Sequence, residues 1–268
     1  MIAAMVATAF ASVSLVMFVL WLVHLRIKNA GIVDIGWAGN FALIAIIYYL
    51  MGGGYETRKL LIAAMALLWS LRLTGYLFVR VVGHEEEGRY RQLRREWRGK
   101  NVDLRFLFFF LFQGVLNVVL ALPLLLACVN PEPHLSIFEF VGFGLWAVAL
   151  LGESLADRQL QKFKANPANK GKVCRVGLWK YSRHPNYFFE WLIWVAFFVF
   201  ALPSPFGLTA LVSPLLMSYF LFKVTGIPAT EEQSLRSKGE AYREYQRSTS
   251  MFVPWFPKKS AETSQVKS

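Results

Sequence analysis

Long apolar runs alternate along this chain with polar segments that are either very short or strongly basic. The apolar runs fall at about 2–24, 33–52, 60–80, 106–128, 136–156, 187–203 and 207–223, each of roughly 17–23 residues. That is the length a helix needs to cross a hydrocarbon core of about 30 Å. The pattern predicts an all-α, polytopic integral membrane protein with seven transmembrane helices. It predicts one membrane domain over 1–257, and a disordered polar tail over 258–268. Ile2 to Val23 has no charge and runs into His24, Arg26 and Lys28 rather than a small-residue cleavage site, which predicts a retained first span.

Periodicity places two further features. Asp157, Leu160, Gln161 and Lys164 are spaced i, i+3, i+4, i+7, one face of a helix continuing out of the fifth run. ANPANKG then stops it with Pro167 and Gly171. In RHPNYFFE, Pro185 suits the first turn of a helix, where its missing N–H costs nothing. Asn186 and Glu190 then share one face of the sixth span.

Composition agrees with a membrane protein. Of 268 residues 56% are hydrophobic and 17% charged, against about 25% charged in soluble domains. The net charge of +12 is placed as in a membrane protein, not as in a nucleic-acid binder. Of 29 Lys and Arg, Arg58 and Lys59 fall in loops on the amino-terminal side, Arg72 lies within a span, and the rest lie on the opposite face. The positive-inside rule then puts the amino terminus outside and the carboxyl terminus in the cytosol. Cys128 and Cys174 fall at opposite faces, so no disulfide is expected.

Ionisable groups inside spans mark sites or buried pairs. They are Asp34, Arg72, Glu139, Glu153 and Glu190. Glu139, near the outer end of its span, can snorkel to the interface. Asp34 and Arg72 can form a buried ion pair, or Asp34 can line a pocket as a neutral acid able to donate to a carbonyl oxygen. Eight Lys or Arg run from Arg158 to Arg183 beside one acid, Asp157. With Trp179, Tyr181 and Tyr187 they can hold an anionic, aromatic ligand, or lie against anionic headgroups. The four scattered histidines have no metal-ligand spacing, and GxGxxG and P-loop signatures are absent. HEEEGRYRQLRREW is expected to form a charged helical surface.

In order, the chain carries D-x-x-L-x-x-F-K, GLW-x-Y-x-RHPNY-x-x-E, a late E-x-Y-x-x-Y and a final F-x-P-W. This order resembles the steroid 5-alpha-reductase superfamily, and within it a bacterial inner-membrane branch, over roughly residues 31–257. The resemblance implies a seven-helix reductase taking NADPH from the cytosol and a lipophilic, steroid-like enone from the bilayer, with membrane lipids around it and no nucleic acid. It implies cofactor contacts at Asp157, Lys164, Arg175, Arg183, His184, Asn186, Tyr187, Glu190, Glu231 and Tyr245. In steroid-reducing members a Glu on the second span and a Tyr on the third stabilise the developing enolate. Asp34 stands at the Glu position and Trp69 at the Tyr position, with Arg72 nearby; Tyr76 and Tyr90 are the alternative donors. RHPxY also resembles isoprenylcysteine methyltransferases, which use S-adenosylmethionine. A transporter or lipid-binding protein is the non-enzymatic alternative, predicting broken spans in two related halves.

Overall fold

The structure is a computed structural model that describes residues 1–224 and 226–258. The tail expected to be disordered lies, from 259 onward, outside the described residues. Eleven α-helices occur among the described residues: α1 Ile2–Ile27, α2 Ile32–Met51, α3 Glu56–Val81, α4 Gly88–Glu96, α5 Val102–Leu120, α6 Leu122–Val129, α7 Ile137–Ala165, α8 Pro185–Ala201, α9 Val212–Tyr219, α10 Ile227–Lys238 and α11 Glu240–Ser248. Six helical stretches are long and apolar enough to cross a membrane: α1, α2, α3, Val102–Val129, α7 and Gly207–Lys238. The apolar α8, of 17 residues, is shorter. The protein is an integral membrane protein, as the apolar runs predict.

Two runs differ from simple spans. The fourth is broken at Ala121, because Pro123 has no N–H with which to continue the ladder. The Ser213 hydroxyl donates to the Leu120 carbonyl there at 2.9 Å, giving a backbone acceptor at the break a partner inside the protein. The seventh opens as a 3₁₀ turn, Gly207–Leu211, continues as α9, and widens into a π turn over Phe220–Val224.

The chain forms two compact units, one of Met1–Phe143 with Phe197–Ser213 and one of Gly144–Ala196 with Pro214–Ser268. In the first, polar side chains pin apolar helices together. Ser70 on α3 donates to Ala38 O at 2.5 Å and accepts from Ala42 N–H at 3.0 Å, inserting itself into the α2 ladder. Asn117 on α5 donates to Trp37 O and accepts from Asn40, both at 3.0 Å. Such bonds average only about 0.6 kcal/mol within membrane proteins. Their larger effect is on register, since each works at one alignment of the helices.

At one end of this unit Arg58 is a buried organising centre. Its guanidinium pairs with Glu139 and donates to the carbonyls of Asn130 at 3.1 Å, Glu132 at 2.6 Å and His134 at 2.5 Å. Glu139 therefore does not snorkel outward as expected: it is 1% exposed, and a second oxygen accepts from Ser136 N–H at 2.5 Å. Withdrawing a carboxylate from water is unfavourable, and the guanidinium compensates it inside. Arg58→Met should lower stability by about 3–5 kcal/mol by stranding Glu139, read as a fall in the unfolding midpoint in detergent. Adding Glu139→Leu to that variant should recover most of the loss.

Candidate functional site

The first unit builds a polar site where α4 is strapped across the start of α2. Asn29 accepts from Gly31 N–H at 2.9 Å and donates to His84 O at 3.1 Å. Glu86 accepts from Ala30 N–H at 2.8 Å and from Arg94 at 2.8 and 3.2 Å. These bonds tie the 28–31 turn to the 82–87 loop and to α4, and so deliver Tyr90 and Arg89 to Asp34. The Tyr90 hydroxyl donates to Asp34 Oδ1 at 2.7 Å, and Arg89 pairs with Oδ2. The Arg89 guanidinium also lies 4.7 Å from the Tyr90 ring centroid.

This geometry changes the expected chemistry of Asp34. Asp34, in the first turn of α2, meets a guanidinium and a phenol, both from α4. The proton available here is the phenolic one. Tyr90 is buried, and burial, followed by the Asp34 charge, pushes its phenol well above the usual range, so it keeps its proton. HEEEGRYRQLRREW is thus a charged helix with one inward residue, whose signal was a single Tyr among Arg and Glu. Trp69 is fully buried and packs on Phe41 and Phe197, with ring centroids 5.4 and 6.1 Å away. Phe41 is seven residues beyond Asp34, roughly 10 Å further along α2 at 1.5 Å per residue. Arg72 is half-buried on α3.

In the second unit the quoted motifs have a structural account. Gly177 has φ +54°, and an added Cβ would lie 2.1 Å from the Gln159 amide nitrogen of α7. The positive φ favours glycine, and a side chain there would have to displace the Gln159 amide. Gln159 Oε1 accepts from Leu178 N–H at 2.9 Å, and the Trp179 indole donates to Ala156 O at 2.9 Å. GLW is therefore a turn docked against α7. Gln159, absent from the expected site residues, is the side chain that receives it.

Beyond the turn, Glu231 of α10 collects donors. Its Oε1 accepts from Arg183 at 2.7 Å, His184 at 3.0 Å and Tyr242 at 3.0 Å. Its Oε2 accepts from Arg183 at 3.1 Å and Gln246 at 2.6 Å. Arg183 also reaches Gln246 O at 3.0 Å and Thr249 O at 2.8 Å. The Tyr245 hydroxyl donates to Trp179 O and, at 3.1 Å, to Ser182 O. Burial first, then the Glu231 charge, raises the Tyr242 phenol, so it remains a donor. The structure thus joins Arg183, His184, Glu231 and Tyr245 through bonds that knit RHPNY to α10 and α11.

The other expected cofactor residues have more open surroundings. Asn186 donates to Asp157 across 3.4 Å, a long bond between a half-buried amide and a buried carboxylate. Tyr187 stacks on His184 at 5.5 Å and shares a hydrogen bond with Thr230 at 3.3 Å. Glu190 is half-buried, Lys164 is exposed at the end of α7, and exposed Arg175 meets Glu244 at 3.4 Å and Ala241 O at 3.2 Å.

Helical spans with polar clusters on α2 and α4, and on α7, α8 and α10, define a polytopic membrane protein with built polar sites. A family described as "Protein of unknown function (DUF1295)" matches residues 20–249, and the chain belongs to it. An uncharacterized protein of Schizosaccharomyces pombe is 28% identical over 269 aligned residues, covering 88% of this chain and 76% of that one. A probable O-methyltransferase, UstE, of Ustilaginoidea virens is 46% identical over 46 residues, covering 17% of this chain and 16% of its own. No solved structure matches significantly.

Gly177→Ala should cost at least about 1–2 kcal/mol from backbone strain alone, with displacement of Gln159 adding to it. The expected readout is a lower unfolding midpoint in detergent and earlier proteolysis between Gly171 and Arg183.

Proposed function

We propose that the protein is an NADPH-dependent reductase of the steroid 5-alpha-reductase type, saturating the carbon–carbon double bond of an enone in a steroid-like or other lipophilic substrate. The observation that carries this reading is the Tyr90 hydroxyl held on Asp34 at 2.7 Å. It pairs an acidic residue at the resemblance's second-span position with a phenol, and so supplies the donor that Trp69 cannot: an indole N–H can donate a hydrogen bond but cannot usefully deliver a proton.

Bound NADPH supplies the hydride. Addition of that hydride to the β-carbon shifts the double-bond electron pair towards the carbonyl oxygen, which becomes an enolate. Tyr90, held by Asp34 until then, turns its single O–H away from Asp34 to that oxygen, and Arg89 offsets the negative charge. The α-carbon then takes its proton from a solvent water, which completes the reduction. In this account Asp34 acts through Tyr90.

The cofactor reading is supported by charge. Arg158, Lys162, Lys164, Lys170, Lys172 and Lys180 all stand exposed, and cations in that number suit a pyrophosphate together with a ribose 2′-phosphate. Asp157, Lys164, Asn186, Tyr187, Glu190 and Arg175 are the residues this reading assigns to it. The Glu231 cluster holds their backbone in place. The distribution of Lys and Arg supports an orientation with the amino terminus outside and these loops in the cytosol; a bacterial inner membrane is what the resemblance adds.

A second reading, an S-adenosylmethionine-dependent methyltransferase, draws on the short match to UstE. The small molecule retained by detergent-purified protein separates the two: a phosphorylated dinucleotide supports the reductase, and adenosylmethionine supports the methyltransferase. With NADPH and a 3-oxo-Δ4-steroid as probe, Tyr90→Phe and Asp34→Ala should each slow reduction about 100-fold or more. Trp69→Phe should leave most of the rate. Titrations should show NADPH binding tighter than NADH, and weakening in Lys164→Ala and Asn186→Ala. Undiminished turnover in Tyr90→Phe would remove Tyr90 as the donor.

A further inference from the structure

The last described residues form a strap. Ser182 and Ser250 pair as a parallel bridge, with Arg183 N–H donating to Ser250 O at 2.9 Å. The Ser182 hydroxyl donates to Phe252 O at 2.7 Å, and Tyr181 O accepts from Trp255 N–H at 2.9 Å. This backbone is fixed, and its side chains divide between two surroundings. The Phe252 ring turns inward, with its centroid 5.5 Å from Phe188, 5.8 Å from Trp191 and 4.8 Å from Phe222. Its neighbours turn outward: Met251, Val253, Trp255 and Phe256 are 40%, 52%, 69% and 76% exposed.

The inward ring reports the depth of the outward ones. Phe188 and Trp191 lie in the first two turns of α8, and Phe222 lies in the π turn that closes the last apolar run. Phe252 is therefore wedged one to two turns inside the polar ends of two apolar helical segments, within about 10 Å of the start of α8 at 1.5 Å per residue. That is the depth of the boundary between headgroups and acyl chains, not of open water. Two exposed aromatic rings beside two exposed apolar side chains are unfavourable in water. In the interfacial layer the same groups are favoured, Trp above all. Exposed Arg247, whose guanidinium also donates to Glu240 at 2.7 Å, and exposed Lys258 flank the strap, and each basic residue near an anionic leaflet contributes about 1 kcal/mol. A cleft of about 630 Å³ is lined partly by the strap's own Met251, Val253, Trp255 and Phe256 and partly by Arg247, Ser248, Ser250 and Lys258, so apolar groups and phosphate donors meet there.

We propose that residues 251–258 are an interfacial anchor that seats this end of the chain on an anionic bilayer surface, with Trp255 and Phe256 at the acyl boundary and Arg247 and Lys258 on the phosphates. The inference is independent of the reductase reading. The test uses the full chain in nanodiscs containing phosphatidylglycerol, with a nitroxide on Trp255→Cys. Cys128 and Cys174 are buried, and unsubstituted protein controls for their labelling. Against a label on Arg236→Cys, which is exposed on α10, the Trp255→Cys label should collide severalfold more often with oxygen and severalfold less with a water-soluble nickel chelate. Equal nickel access at the two positions would overturn the proposal. So would low access to both reagents, which would mean that residues 259–268 or a second copy cover the strap. An Arg247→Gln/Lys258→Gln pair, or discs of phosphatidylcholine alone, should raise nickel access at position 255. If neither does, the anionic preference fails.

Discussion

Glu231 accepts hydrogen bonds from Arg183, His184, Tyr242 and Gln246, and the second unit depends on that convergence. A carboxylate drawn partly out of water needs donors, and four residues from RHPNY and α11 answer one need. Arg183 then has donors left over for the carbonyls of Gln246 and Thr249. Through these bonds the start of α8, the α10–α11 pair and the segment that follows α11 are held in one arrangement. The basic and polar run before an apolar helix is therefore a joint first. Whatever it binds, it binds with groups the joint leaves over.

The same requirement explains the first unit. Arg58 and Glu139 satisfy each other in the interior, and the guanidinium's remaining donors gather three loop carbonyls. Asp34 is satisfied from α4, a short helix held over α2 by Asn29 and Glu86. At Arg58 and at Asp34 alike, a neighbouring loop or helix is bent to the charge. Tyr90, a buried phenol that keeps its proton, is held where α4 crosses Asp34, whereas Trp69 sits in apolar packing.

Much of the fold was legible because span length and helical period are local properties. The apolar runs, the continuation of α7 and its stop near Pro167 follow from residues close in sequence. The break at Ala121 was legible only in hindsight, since Pro123 is a weak signal within a run of Leu. The sites were legible in part. Asp34 stood out as an acid among apolar residues, but its partners lie 55 and 56 positions away on a helix that reads as solvated charge. Arg183 and Glu231 are 48 positions apart, and no periodicity links them. Gln159 was hidden for another reason: it is an ordinary helix residue whose role exists only because Gly177 turns towards it.

The link between Asn117, Trp37 and Asn40 has a consequence for biogenesis. During synthesis α2 and α3 emerge first and can close as a hairpin through Ser70, leaving Asn40 without its amide acceptor. That vacancy persists from the emergence of α3 until α5 enters the bilayer, roughly forty residues later, about 2–8 s at ordinary elongation rates of 5–20 residues per second. Over that interval the nascent hairpin presents a polar amide towards lipid, a reason for the insertion machinery to retain it until the fourth apolar run arrives. One asparagine pair thus couples the timing of translation to the order in which the helices assemble.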